Sequence, residues 1–336
     1  MNRTGPLNAI TDIAGITVGN AADAKLKSGV TAIVCEPPAT CSVHVMGGAP
    51  GTRETDLLSP ENTVETVNAI ALSGGSAFGL DAASGVQARL REEGKGFAVA
   101  GHVIPIVPAA ILFDLVNGGD KSWDRYPPYR ELGYQAAANA ARDFAIGSQG
   151  AGTGALVAGL KGGLGTASLA LENGFTVGAI VAVNALGNPV IGDGPHFWAS
   201  PFEIADEFGG IGVPASVSPD DRRLRIKFRP ARTGENTTIA VIATDAKLSK
   251  AQAKRLAVAA HDGFARALWP AHTPMDGDIV FAIATGTSER APAMDDWIDL
   301  SAAASAVMAR AIARAIHAAT PAPADLFPCW SQEFRR

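Results

Sequence analysis

The hydrophobic positions of this chain fall into short apolar runs punctuated by glycine and proline. Residues 10–18, 29–34 and 67–72 have the length and composition of strands, and Pro37-Pro38 is expected to stop the second. A run over 42–46 leads into Gly47-Gly48-Ala49-Pro50-Gly51, which reads as a loop because adjacent glycines gain nothing from a strand. Beyond 67–72 comes Ser73-Gly74-Gly75-Ser76, and the period then lengthens to that of a helix. Leu80, Ala83, Val86 and Leu90 share one face of it and Gly94 ends it.

The apolar run 103–115 carries Pro105 and Pro108, which argue against a central strand. Residues 121–130, with Trp123, Tyr126 and Tyr129, read as a surface loop, and 134–145 as an alanine-rich helix. Two glycine-rich turns follow, 150–154 and 160–168, then a strand over 175–183 closed by Asn184 and another near Val190. Residues 201–235 are irregular and charged, an expected exposed and mobile linker. After it the pattern is clean: a strand at 238–243, a helix capped by Ser249 and stopped by Pro270, a strand at 279–285, and a helix over 300–318. Alternation of the two periods predicts a mixed α/β fold over residues 1–336, without internal repeats.

Composition narrows the class. Hydrophobic residues make up 47% of the 336 and charged residues only 18%, so part of the surface is expected to be buried between subunits of a homo-oligomer. A net charge of -5 without a Lys/Arg cluster argues against a nucleic-acid partner. No run reaches the ~18 apolar residues of a membrane span, and Met1 to Leu7 has no apolar signal core, which places the protein in the cytoplasm. Cys35, Cys41 and Cys329 are odd in number and lack metal or redox spacing, so they read as packing residues; no metal and no cofactor are expected.

Candidate chemistry is sparse. Gly150-x-Gly152-x-Gly154 lacks the spacing of a dinucleotide loop, and Lys161 has no Ser or Thr after it, which excludes a phosphate loop. The six histidines are scattered and no Gly-x-Ser-x-Gly elbow is present. The strand-to-helix turn at Gly74, Gly75 and Ser76 has two readings: N–H groups gathered around a ligand oxygen, or a turn needed only for packing. Asp276-Gly277-Asp278 is either a charged turn or a pair of carboxylates on one face that holds an ammonium or orients a hydroxyl.

At Asn236-Thr237-Thr238 a polar turn meets an apolar run. Threonine is a poor nucleophile without a base, but an N-terminal threonine carries its own, an α-amine with a reference pKa of about 7.7 to 8.0. A cut between Asn236 and Thr237 would release it. An ordinary strand start with high β-propensity fits the same residues.

These stretches, taken in order, resemble the P1-type self-processing amidohydrolases, a family that includes the DmpA-type L-aminopeptidase/D-esterases, the β-peptidyl aminopeptidases and the nylon-oligomer (6-aminohexanoate oligomer) endo-hydrolases. The resemblance runs through Arg53-Glu54-Thr55-Asp56, residues 72–80, 150–154 and 161–168, Val183-Asn184, Asn236-Thr237-Thr238-Ile239 and Asp276-Gly277-Asp278. It implies a four-layer αββα sandwich, autocleavage into an α chain (1–236) and a β chain (237–336), and a tetramer of such pairs. It further implies Thr237 as nucleophile, Asn184 as oxyanion donor, Lys161 as a supporting basic residue that lowers the cost of negative charge, and Asp276 and Asp278 as the acidic pair that orients Thr237.

Thr237 and Asp-Gly-Asp follow the nylon-hydrolase branch, since the aminopeptidases resembled have serine and Ser-x-Glu. Where those aminopeptidases carry Glu-x-Tyr-Asp to read a substrate's free amine, this chain has Ile111-Leu112-Phe113-Asp114, which places Phe113 beside the substrate without that carboxylate. The expected activity is hydrolysis of a small amide or peptide substrate through an acyl-enzyme. Three alternatives stand beside it: an aminopeptidase or D-amino-acid esterase, an ornithine-acetyltransferase-like enzyme, and an uncleaved binding protein.

Overall fold

A computed structural model of the chain describes residues 2–228 and 236–334. The strands are β1 (Ile16–Asp23), β2 (Ser28–Val45), β3 (Thr52–Arg53), β4 (Thr66–Ser73), β5 (Phe97–Val99), β6 (His102–Ile104), β7 (Ala109–Ile111), β8 (Gly163–Ala170), β9 (Thr176–Asn184), β10 (Thr237–Thr244) and β11 (Ile279–Ala284). The helices are α1 (Ala82–Glu92), α2 (Tyr129–Ala138), α3 (Lys250–Ala267), α4 (Met294–His317) and α5 (Trp330–Phe334). Among the described residues, one mixed sheet runs β3-β7-β4-β2-β11-β10-β9-β8, with β1 also paired to β2. The β10–β11 and β4–β7 pairs are parallel; the other neighbours are antiparallel.

Side-chain alternation shows how this sheet makes four layers. On β9, β10 and β11, Val181, Ala240, Ile242 and Val280 face α3 and α4, while Ile180, Ile239, Val241 and Phe281 face inward. On β2 and β4, Val30, Ala32, Ala69 and Ala71 face α1 and α2, while Ile33, Ile70 and Leu72 meet that same inner core. The sheet is therefore folded over itself, with helices outside each half: an αββα sandwich. Covering both faces is why the strands read as unbroken apolar runs.

The long strand β2 joins the halves. Its first part pairs with β1 and β4, its second with β11, and the register shifts between Val34 and Ala39. Pro37-Pro38 thus lies inside a strand and does not end it. Both prolines are exposed at the irregularity, where no ladder donor is missed.

Other sequence expectations need correction. Residues 10–18 hold a 3-10 turn (Ile10–Asp12) before β1 opens at Ile16. The glycine-rich stretch 160–168, read as a turn, is mostly β8, because its glycines admit α4: a Cβ on Gly165 would lie 2.0 Å from Ala311 O. The helix expected over 134–145 runs instead from Tyr129 to Ala138; it takes only the last two residues of the surface loop expected over 121–130, of which Tyr129 is fully buried. Helix α4 starts at Met294, a turn and a half before residue 300.

The linker expected at 201–235 to be exposed and mobile is exposed over most of 209–225, but it is anchored at Phe208 and Glu207. Phe208 is buried against Phe197, and Glu207 pairs with buried Arg310 at 2.5 Å. The Gly234-Glu235 turn lies outside the described residues. No helix among them is long and apolar enough to cross a membrane.

Candidate active site

The site forms where three chain segments meet at one end of the sheet. Strand β10 opens at Thr237, whose Cα partner is Asn184, the last residue of β9. On the other side of β10, Asn236 bridges to Asp276 in the turn that feeds β11. Strand order alone therefore brings Thr237, Asn184 and Asp276-Gly277-Asp278 together from positions up to 94 residues apart.

Asn236 and Thr237 are both about 98% buried. The Thr237 hydroxyl donates to the Asn236 carbonyl oxygen at 2.6 Å, and the Gly277 N–H donates to the same oxygen at 2.7 Å. Asn236 N–H is in turn held by Met275 O at 3.1 Å. The peptide linking Asn236 and Thr237 is thus fixed on both sides, with a hydroxyl and a backbone donor at its carbonyl.

The two carboxylates grip backbone and not the Thr237 hydroxyl. Asp278 accepts from Thr238 N–H at 2.9 Å with one oxygen, and from His272 N–H and Nδ1 at 3.1 and 2.8 Å with the other. Asp276 accepts from Leu186 N–H at 3.1 Å and from Thr273 through N–H and hydroxyl at 3.0 and 2.6 Å. Burial, and then the charge of Asp278, push the Asp276 carboxyl up. Burial disfavours the charged ring of His272, but its bond to Asp278 and that residue's charge outweigh it and raise the imidazole.

Asn184 is oriented without ambiguity. Its Oδ1 accepts from Leu156 N–H and Lys227 Nζ, each at 3.0 Å, so the other end must be the NH2 group. One Nδ2 hydrogen goes to Phe113 O at 2.9 Å, and the second has no acceptor among the described residues. Phe113, expected beside the substrate, contributes a backbone carbonyl here.

Lys161 is placed differently from the expectation. Its ammonium binds Asp325 at 2.7 Å and Thr320 O at 2.9 Å, and is not bonded to Asn184 or Thr237. The glycine turn is also occupied: Gly74, Gly75 and Ser76 N–H groups donate to Gly29 O, Asp114 Oδ1 and Leu112 O. A Cβ on Gly74 would lie 2.3 Å from Asp114 Oδ2, so the packing reading accounts for these glycines.

Sequence reasoning passed over Lys227 and His272. Lys227 lies among surface arginines in the irregular segment, and its only signal is the apolar pair Ile226 and Phe228 around it. His272 is one of six scattered histidines; its position six residues before Asp278, across a turn containing Pro274, was the available clue.

The model of peptidase family S58 matches residues 8–325. The chain belongs to this family. Among its relatives is an uncharacterized aminopeptidase of Mycobacterium tuberculosis, 43% identical over 345 residues that cover 96% of this chain and 98% of the relative. A 6-aminohexanoate-oligomer endohydrolase of Kocuria sp. is 28% identical over 299 residues, covering 82% of this chain and 74% of that one. The solved L-aminopeptidase D-Ala-esterase/amidase of Ochrobactrum anthropi, described as a variant of the Ntn hydrolase fold, superposes with a TM-score of 0.70 at 23% identity, over 97% of this chain and 91% of its own. That identity carries the fold alone. As a member of family S58 the chain is a hydrolase of amide or peptide bonds.

Proposed function

We propose that this S58 hydrolase cuts itself between Asn236 and Thr237, and that the new N-terminal Thr237 then hydrolyses amides through an acyl-enzyme. The observation that carries the reading is the paired engagement of Asn236 O, by the Thr237 hydroxyl at 2.6 Å and by Gly277 N–H at 2.7 Å. In the first reaction Thr237 Oγ1 attacks the Asn236 carbonyl carbon and the C–N bond breaks. This leaves an ester on Oγ1 and a free α-amine on Thr237; water then opens the ester to the Asn236 carboxylate and the threonine hydroxyl. Negative charge gathers on Asn236 O, where Gly277 N–H already points.

In the second reaction the α-amine takes the hydroxyl proton as Oγ1 attacks the substrate carbonyl, and passes it to the departing amine. Asn184, the pairing partner of Thr237, serves as the oxyanion donor through Nδ2, and a donor of this kind is worth about 3 to 4 kcal/mol. Water releases the acyl group. In the proposed enzyme Asp278 positions Thr237 through Thr238 N–H, while Asp276 holds the chain beyond Asn184 through Leu186 N–H.

The substrate class is a small linear amide, a peptide or 6-aminohexanoate oligomer. A second reading, an aminopeptidase, is favoured by the name of the 43% identical relative. Against it stands Ile111, packed on Gly51, where recognition of a free amine would call for a carboxylate. Intact mass tests the cut: the wild type should give two chains meeting at Asn236 and Thr237, and Thr237→Ala one inactive chain. A cleaved Thr237→Ala refutes the assignment, and a panel of peptides, β-peptides and 6-aminohexanoate oligomers separates the two substrate readings.

A further inference from the structure

Lys227 is a buried lysine, 5% exposed, and its environment matches an ammonium group donor for donor. Its Nζ lies 2.8 Å from Leu156 O, 3.0 Å from Asn184 O and 3.0 Å from Asn184 Oδ1, three acceptors for three N–H groups. Its own backbone N–H is tied to Leu186 O at 2.9 Å, so both ends of the residue hold the segment that leaves β9. No acid forms an ion pair with it among the described residues; Asp276 and Asp114 act on it only at a distance. Burial without a direct counter-ion lowers the ammonium to about 7, against which those two carboxylates pull it up.

A buried lysine without an ion pair needs a reason to be there, because desolvating its charge costs several kcal/mol. The reason on the page is its contact with Asn184. An ammonium on Oδ1 draws electron density from the carboxamide and makes the Nδ2 hydrogens stronger donors, as hydrogen bonds in series polarise one another. The same ammonium, bonded to Asn184 O, fixes the main chain from which that side chain projects.

We infer that Lys227 is a positioning residue of the active site, holding the Asn184 carboxamide and strengthening its free Nδ2–H for the oxyanion formed beside Thr237. The inference rests on the proposed role of Asn184. It assigns to the precursor segment ten residues before Thr237 a part in the chemistry done at Thr237. Lys227 touches no reacting atom; it acts through Asn184.

Three proteins test it: Lys227→Met, which keeps the length and apolar stem without donors, Asn184→Ala, and the double variant. The readout is hydrolysis of the best substrate among the peptides and 6-aminohexanoate oligomers, with intact mass confirming that each protein has been cut. Processed Lys227→Met should hydrolyse it at least tenfold more slowly, and adding it to Asn184→Ala should slow that variant no further. A processed Lys227→Met that hydrolyses at the wild-type rate, or losses that multiply in the double variant, overturn the inference. Should Lys227→Met fail to fold, Lys227→Gln, which keeps donors but no charge, carries the same comparison.

A second readout is independent of the cut. The side-chain NH2 resonances of Asn184 in a 1H–15N spectrum should move in Lys227→Met while distant carboxamides such as Asn62 stay in place. Unmoved Asn184 resonances overturn the inference even if the wild type never processes, an outcome that would itself sink the self-cleaving reading.

Discussion

Replacing Gly277 by alanine separates a carbonyl that is merely buried from one that is held for reaction. Gly277 lies between the Gly47–Gly51 loop and β10. A Cβ built on it would sit 2.4 Å from Ala49 O and 2.8 Å from Thr237 Oγ1. Its φ is outside the left-handed region, so alanine meets a shortage of space and not of torsional freedom. Relief comes from the Gly277 backbone itself, since Ala49 is tied to the same turn through its N–H, which donates to Asp276 O at 2.9 Å. Moving that backbone moves the N–H from its 2.7 Å contact with Asn236 O.

Losing one preorganised donor to a developing oxyanion costs about 2.7 to 4 kcal/mol, or 10²- to 10³-fold in rate. Alanine displaces the donor without removing it, so the lower end, ~10²-fold slower self-processing, is expected. Overpacking adds about 1 to 3 kcal/mol of lost stability, which a thermal melt reports separately. The assay is the ratio of full-length to cleaved chain by intact mass, followed in the purified protein. Folded Gly277→Ala protein that is cleaved as completely and as fast as the wild type would show that Gly277 N–H is not part of the reaction.

Two further outcomes follow from buried charges. His272 has a folded-state pKa raised above its ordinary value, so its bond to Asp278 stabilises the fold fully below about pH 6.5 and that stabilisation is lost as pH rises through the raised value. Urea midpoints measured from pH 5 to 9 should fall across this window in the wild type and fall less in His272→Gln; parallel profiles would remove the assignment. Glu207→Ala strands the buried Arg310 guanidinium, which then keeps only Ser168 O and Asn8 as partners, and should cost about 3 to 5 kcal/mol, whereas Glu207→Leu with Arg310→Met should be near neutral. Urea unfolding decides, and a loss under 1 kcal/mol for Glu207→Ala refutes the buried-pair account.

Much of the second half of the fold was legible because its periods are pure. Strands β9, β10 and β11 are continuous apolar runs, and Ser249 with Gln252 closes a capping box whose sequence is visible in advance. The misreadings came from residues whose local preference is overruled by what packs on them. Gly163 and Gly165 look like a turn until α4 is laid across them, and Pro37-Pro38 looks like a stop until β2 is seen to change partners there.

Of the proposed site, Asn184 and Thr237 at strand ends and Asp278 just before β11 were nominated by pattern and family resemblance together. Lys161 was given a supporting basic role by resemblance; its bonds to Asp325 and Thr320 O are made by a C-terminal segment that leaves no signal near residue 161. Lys227 was missed for the converse reason. A lysine between arginines reads as surface, and only the three carbonyl oxygens gathered around it, from residues 156 and 184, say otherwise.

The geometry of the acidic pair also explains why the two strands need it. The antiparallel ladder between β9 and β10 ends at the Asn184–Thr237 pair, so beyond that point the two strands no longer hold each other. Asp276 reaches past the end to Leu186 N–H, and Asp278 reaches to Thr238 N–H, from a turn whose own carbonyls are held by Met46, Gly47 and Ala49. The carboxylates thus carry on the work of the ladder by side chain, where main-chain pairing would have filled the site. In the proposed cycle the departure of Asn236 after the cut would empty the place beside Gly277 N–H for the carbonyl of a substrate. Self-processing and amide hydrolysis then make the same demand on the fold, a carbonyl placed between a threonine hydroxyl and fixed donors, and the precursor supplies the first such carbonyl from its own chain.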